Sequence, residues 1–171
     1  MRKSKINISG FKIGTAENRD GLTGVTVILA PDGGATAGVD VRGCAPGTRE
    51  TDLLDPRKTV QKIHAVVLSG GSVFGLEAAS GCVKYLAEQG VGFPIGNVCV
   101  PIVSSAVLFD LMIGDEKAYP DLLMGYEAAK SASSEFLSGC NGAGTGATVG
   151  KLLGFGNAMK SGAGYHEISL P

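Results

Sequence analysis

Apolar positions in this chain come in short runs broken by glycine and proline, and the length of each run predicts its element. Residues 25–30 (VTVILA) and 35–41 (ATAGVDV) are β-branched runs separated by Pro31-Asp32-Gly33-Gly34, a turn sequence that predicts an antiparallel hairpin. Residues 43–52 (GCAPGTRETD) read as an irregular polar loop. Asp55-Pro56 predicts a helix start, because Asp caps free amides and Pro is tolerated at the first helical position; that helix would run to about His64. Residues 65–69 (AVVLS) form a continuous apolar strand that delivers the chain into Gly70-Gly71-Ser72-Val73-Phe74-Gly75. A helix is expected over 76–89, where Leu76, Ala79, Val83 and Leu86 make one apolar stripe. Gly90 and Gly92 close it, and an extended segment follows at 98–103. Residues 120–133 predict a second amphipathic helix with Leu122, Tyr126 and Ala129 on one side. A glycine loop at 139–150 then leads into Lys151-Leu152-Leu153, and residues 162–171 begin a further strand with no partner in view.

Composition narrows the class. With 44% hydrophobic and 18% charged residues, the 171 residues suit a single globular domain spanning 1–171. The 27 glycines are about twice the usual share of roughly 7% and follow no fixed period, which points to tight turns and close backbone approaches. Fifteen basic and 16 acidic side chains give a net charge of -1, so no electrostatic footprint calls for nucleic acid or an anionic membrane. No apolar run has the length of a signal peptide or a membrane span, and the reading is cytoplasmic. Cys44, Cys82, Cys99 and Cys140 are scattered without a C-x-x-C pair and only two histidines accompany them, so buried reduced thiols and no metal site are expected.

Local motifs differ in how well their chemistry is supported. Residues 142–147 (GAGTGA) match a dinucleotide fingerprint in form, but residues 133–138 are not read as the buried strand that this fingerprint needs. A P-loop fails because Thr145 stands five residues before Gly150 and Leu152 follows Lys151. A nucleophile elbow fails because Phe74 occupies its last glycine position. A triad through His64 or His166 carries little weight, because among so many Ser and Asp residues some triple can always be drawn and a lone His is more often structural. Lys151 remains: a lysine directly after a glycine loop can enter a cleft and hydrogen-bond a carbonyl, the plain alternative being a solvated lysine.

Taken together, residues 38–43 (GVDVRG), 45–52 (APGTRETD), 68–79 (LSGGSVFGLEAA) and 142–151 (GAGTGATVGK) closely resemble the L-aminopeptidase/D-esterase (D-amidase) family of autoprocessing peptidases. That family includes β-peptidyl aminopeptidases and the nylon-oligomer endohydrolase. The resemblance runs in order from Gly21-Leu22-Thr23-Gly24 to Met159-Lys160 and concerns the family's N-terminal portion. It implies an α/β fold, a four-layer α/β/β/α sandwich similar to N-terminal-nucleophile hydrolases, incomplete in this chain. It further implies a precursor that cuts itself to free a Ser or Thr, whose α-amino group, of pKa near roughly 7.7–8.0, serves as base without any histidine. No cofactor is implied.

The same resemblance places the family's glycine-loop lysine on Lys151 as a catalytic group. It places a site tyrosine on Phe109, which has no hydroxyl and would line an apolar pocket, and it makes Gly70, Gly71 and Ser72 a substrate-approaching loop. The nucleophile, its supporting residues and a site asparagine belong to a later segment of the family. The expected partners are therefore a small peptide or amino-acid amide substrate, together with a C-terminal segment or a homo-oligomer. The alternative expectation is a non-catalytic truncated homologue that binds a small molecule or recruits a partner through an exposed sheet edge.

Overall fold

The structure, a computed structural model, describes residues 2–43, 45–168 and 170. Its strands are β1 (Arg2–Lys5), β2 (Lys12–Asn18), β3 (Thr23–Leu29), β4 (Thr48–Arg49), β5 (Ala65–Ser69), β6 (Phe93–Ile95), β7 (Val98–Val100), β8 (Val103–Val107), β9 (Glu135–Ser138), β10 (Thr148–Val149) and β11 (Met159–Lys160). The helices are α1 (Ala78–Glu88) and α2 (Leu122–Lys130). The main sheet has the order β2-β3-β5-β8-β4. Its neighbours are antiparallel except β5 and β8, which run parallel with α1 between them in the chain. The smaller sheets are the two-stranded pairs β1-β9, β6-β7 and β10-β11.

Strand alternation sorts the sheet into two faces. One face carries Val25, Val27, Ala65, Val67 and Val103, which pack against Ala78, Ala79, Cys82 and Leu86 of α1 and Ala128 and Ala129 of α2. The apolar stripe anticipated on α1 is there, though shifted toward small residues. On α2 the shift is larger, with Gly125, Ala128 and Ala129 buried while Tyr126 turns partly outward. Small residues win because the α2 backbone lies almost against the sheet: a Cβ on Gly14 of β2 would sit 1.9 Å from the Ala128 carbonyl oxygen. Asp121 caps α2 by accepting the Met124 amide at 2.8 Å, as the preceding Pro120 and the polar cap residue favour.

Several expectations are corrected. The partner of β3 is β2, reached through a tight turn in which the Asn18 side chain accepts the Gly21 amide at 2.8 Å. With β5 on its other edge, β3 has no edge left for residues 35–41, and Ala35 makes only a single bridge to Ile63. The helix expected over 55–64 is absent, because the Asp55 carboxylate accepts the Arg57 amide and binds its guanidinium, closing a local turn. Ile63 and His64 are then drawn into extended pairing with Ala35 and Ile102. Residues 135–138, not expected to be a strand, form β9 through pairing with β1. Among the described residues of 162–170 no strand forms, although Ala163 bridges to Gly139. The thiols divide: Cys82 is buried, Cys140 half-buried and Cys99 exposed, and Cys44 lies outside the described residues.

Candidate active-site cleft

The parallel strands β5 and β8 end side by side, and the turns after them are hydrogen-bonded to each other. In open α/β sheets the crevice beyond such carboxyl ends is where ligands bind. After β5 the chain turns through Gly71 at φ 77° and Ser72 at φ 53°. Its three successive amides are all consumed within the fold. Gly70 donates to the Gly24 carbonyl at 2.9 Å and Ser72 to the Leu108 carbonyl at 3.0 Å, while Gly71 donates to Asp110 Oδ1 at 2.7 Å. Gly70 and Gly71 are buried and Ser72 is half-buried. Phe109 stands beside this turn, because the Leu108 amide donates to the Ser69 carbonyl, and the residue is 45% exposed. Phe74 and Tyr119 stack over the same turn with ring centroids 4.8 Å apart.

Asp110 is only 2% exposed. Its second oxygen, Oδ2, accepts the Thr23 hydroxyl at 2.8 Å. Gly146 lies against it so tightly that a Cβ there would fall 2.4 Å from Oδ2, which brings the glycine loop of residues 139–150 to the same carboxylate. Within that loop the Ala143 amide donates to Thr26 Oγ1 at 3.1 Å. The ammonium of Lys160 closes the loop from the other side, donating to the carbonyls of Gly144 at 3.1 Å and Thr145 at 2.6 Å. The Thr145 hydroxyl is buried without a hydrogen-bond partner among the described residues. The loop opens a single 3-10 turn at Gly142–Gly144 and no α-helix, so it lacks the helix N-terminus that would hold a pyrophosphate.

Lys151 follows Gly150, which takes φ 77°, and lies in the hairpin that joins β10 to β11. It is half-buried, with Nζ 5.9 Å from the Phe155 ring centroid. No hydrogen bond connects it to Gly70, Gly71, Ser72 or Phe109 among the described residues, so the turn after β5 and Phe109 are brought together while Lys151 occupies the next hairpin. His64 is buried, its Nδ1 accepting the Ile102 amide at 3.1 Å, and burial lowers its pKa. That ring is spent on structure.

Beneath these turns lies a cleft of about 600 Å³ on the sheet face opposite the helices. Ile13, Ile28, Leu68 and Ala106 form its floor, Ile6 and Phe136 one wall, and Ala143, Gly144 and Ala147 its rim. Leu68, on a central strand, is 40% exposed. No helix of the described residues is long and apolar enough to cross a membrane.

The sequence pattern of peptidase family S58 matches residues 5–163, nearly the whole chain. The chain belongs to peptidase family S58. This S58 chain is 40% identical over 173 residues to a protein of Mycobacterium leprae (strain TN) named as an uncharacterized aminopeptidase; the match covers 96% of this chain and 48% of that protein. It is 36% identical over 149 residues to the 6-aminohexanoate-oligomer endohydrolase of Kocuria sp. (strain KY2), covering 86% of this chain and 39% of the relative. The S58 chain thus spans about half the length, or less, of the curated relatives it matches. In fold it is similar to the L-aminopeptidase D-Ala-esterase/amidase of Ochrobactrum anthropi, a variant of the Ntn hydrolase fold. The TM-score is 0.62 at 18% identity, over 81% of this chain and 42% of the solved one. The expected α/β fold, of the N-terminal-nucleophile hydrolase kind, is the one observed.

Two residues central to the S58 chain's geometry escaped the motif reading. Asp110 carries a faint signal, a single acid closing the apolar run of residues 106–109. Lys160 carries none, since three of its four carbonyl partners lie 13 to 16 residues back along the chain.

Proposed function

We propose that this chain is one half of an amide or peptide hydrolase, an aminopeptidase or amidase/esterase, of the autoprocessing N-terminal-nucleophile type. The Ser or Thr nucleophile would be carried on a segment that seats against the open sheet face. One observation carries the reading: a central strand, β5, presents Leu68 to an apolar cleft while its other face is fully buried under α1. A strand covered on both faces is the usual state of a central strand in a layered α/β fold, so a second layer is the natural occupant of this one. Membership of a peptidase family supplies the chemistry of that layer.

In this reading the released α-amino group takes the proton from its own hydroxyl, whose oxygen attacks the scissile carbonyl; the C–N bond then breaks as that proton passes to the leaving amine, and water, giving its proton to the same α-amino group, hydrolyses the acyl-enzyme to the acid and the free hydroxyl. Lys151 supplies an ammonium donor that positions the nucleophile or polarises the carbonyl. Phe109 offers an exposed apolar ring to the substrate. Gly70, Gly71 and Ser72, whose amides are already engaged, shape the cleft by their backbone position and by the Ser72 hydroxyl rather than by donating to an oxyanion. The whole 1–171 chain acts as one unit, which pairs with a C-terminal segment or forms a homo-oligomer.

The test is reconstitution. Co-expression with the C-terminal segment of an S58 relative is expected to give a stable complex that releases p-nitroaniline from amino-acid p-nitroanilides and cleaves small amides. A well-folded complex without turnover on amino-acid amides, β-peptides or 6-aminohexanoate oligomers would refute the reading.

A further inference from the structure

We infer that Asp110 is a positioning residue, a buried carboxylate that sets the geometry of the cleft by hydrogen-bonding two separate turns and packing against a third; the part of this inference that concerns turnover rests on the proposed hydrolase. The turns are distant in sequence and meet only here. Thr23 opens β3, Gly71 follows β5, and Gly146 belongs to the glycine loop. Each oxygen of Asp110 has its own donor, the Gly71 amide on Oδ1 and the Thr23 hydroxyl on Oδ2. No ion pair reaches the carboxylate among the described residues.

Such a group is costly to bury. A carboxylate taken from water without a cation must be compensated by hydrogen bonds, and an apolar residue would fill the same volume without that cost. The backbone around it explains what the carboxylate does. Leu22, immediately before Thr23, has φ 52°, and Ser72, immediately after Gly71, has φ 53°. Both are non-glycine residues in the left-handed region, where each costs about 1–2 kcal/mol. Of the three non-glycine residues with positive φ among the described residues, the third being Glu50 at φ 58°, these two adjoin the two donors that Asp110 holds. Strain of this kind persists only where the surroundings over-determine it, and it gathers at functional sites.

Steric fit points the same way. A Cβ on Gly70 would lie 2.1 Å from Asp110 Oδ2 and 2.3 Å from Thr23 Oγ1. A Cβ on Gly146 would meet Oδ2 at 2.4 Å and the Asp110 Cβ at 2.6 Å. The glycines after β5 and in the later loop are therefore small where they close around this carboxylate, and the rim of the cleft inherits its placement from them. Asp110 touches no substrate in this arrangement. It acts through the position of Gly71, Ser72 and Gly146.

The experiment compares Asp110→Asn, Asp110→Ala and Thr23→Val in the full chain and in the reconstituted complex. Asn retains an acceptor for the Gly71 amide and can donate its amide to the Thr23 oxygen, so it should rescue the geometry without the charge. In the full chain, hydrogen exchange at the Gly71 amide is expected to accelerate at least about tenfold in Asp110→Ala and to stay within about threefold of native in Asp110→Asn. In the complex, Asp110→Ala should lower kcat by about 10- to 100-fold, the scale on which small misplacements act, with KM moved much less. A purely structural residue would shift the unfolding midpoint yet leave kcat per folded molecule unchanged, and that result overturns the proposal. So does unchanged Gly71 exchange in Asp110→Ala. Should Asp110→Ala not fold, Thr23→Val serves: it removes one donor only, and unaltered exchange at Gly71 and Thr23 together with unaltered kcat refutes the role. Failure of the native complex to turn over would bear on the hydrolase reading alone, because the exchange measurement needs no activity.

Discussion

Gly81 of α1 sits directly beneath Leu122 of α2, so close that a Cβ at Gly81 would lie 1.9 Å from the Leu122 carbonyl oxygen. The reciprocal approach, Gly125 of α2 against the Ala78 carbonyl oxygen of α1, has the same 1.9 Å clearance. Two helices locked in this way seat together on the sheet and hold the ends of β5 and β8 in place below the cleft. A single methyl in the seam must push backbone rather than a flexible side chain. Gly81→Ala and Gly125→Ala are each expected to cost about 1–3 kcal/mol, the usual range for overpacking, measured as the change in unfolding free energy from urea titration. A neutral result would mean that the helices can separate without penalty.

The open face gives a second prediction. Leu68→Glu puts a charge on the cleft floor, where the isolated chain leaves that side chain 40% exposed. The stability of the chain alone should change by no more than about 1 kcal/mol, within the scatter of exposed substitutions. Association with a C-terminal segment should be lost, because the same carboxylate would then be buried without a partner. Sedimentation of the mixed segments distinguishes the two states.

Cys82 tests the core by pH. Burial raises its thiol pKa from 9.0 to about 12, so the folded protein keeps it neutral after the unfolded chain has begun to ionise. The contribution to stability is complete below about pH 9 and drains away as pH rises toward 12. Cys82→Ala should therefore flatten the loss of stability across that window, whatever it does to stability at pH 7. Mapping of alkylated thiols at pH 8 should find Cys99 modified and Cys82 untouched until the chain unfolds.

Lys160 supplies the fourth. Its ammonium gathers the carbonyls of Gly144, Thr145 and Ala147 at 3.1, 2.6 and 3.3 Å, and Lys160→Met keeps the length while removing the donor. Loss of about 1 kcal/mol is expected, since the side chain is exposed and water replaces part of what is lost. The sharper effect should be local, seen as faster protease cleavage within residues 142–150.

Periodicity and glycine placement were enough to locate β5, the turn after it, both helices and the loop before Lys151. These features are set by neighbours a few residues apart, and the ordered motifs around them pointed to the family. Pairing was decided elsewhere. Residues 12–18 show little strand patterning yet became β2, while the better patterned residues 35–41 lost their place because β3 has only two edges and both were taken. The helix predicted after Asp55 yielded to a turn once its carboxylate found Arg57. Asp110 illustrates the general reason. Its partners Thr23, Gly71 and Gly146 lie 87, 39 and 36 residues away in the chain, and a carboxylate acquires a role only when the fold brings donors to it. Sequence alone determined which segments were stiff, which could turn sharply and which chemistry was present. Tertiary structure decided who met whom, because the cost of burying each polar group and each strand edge is settled only when the partners across the whole chain are in place.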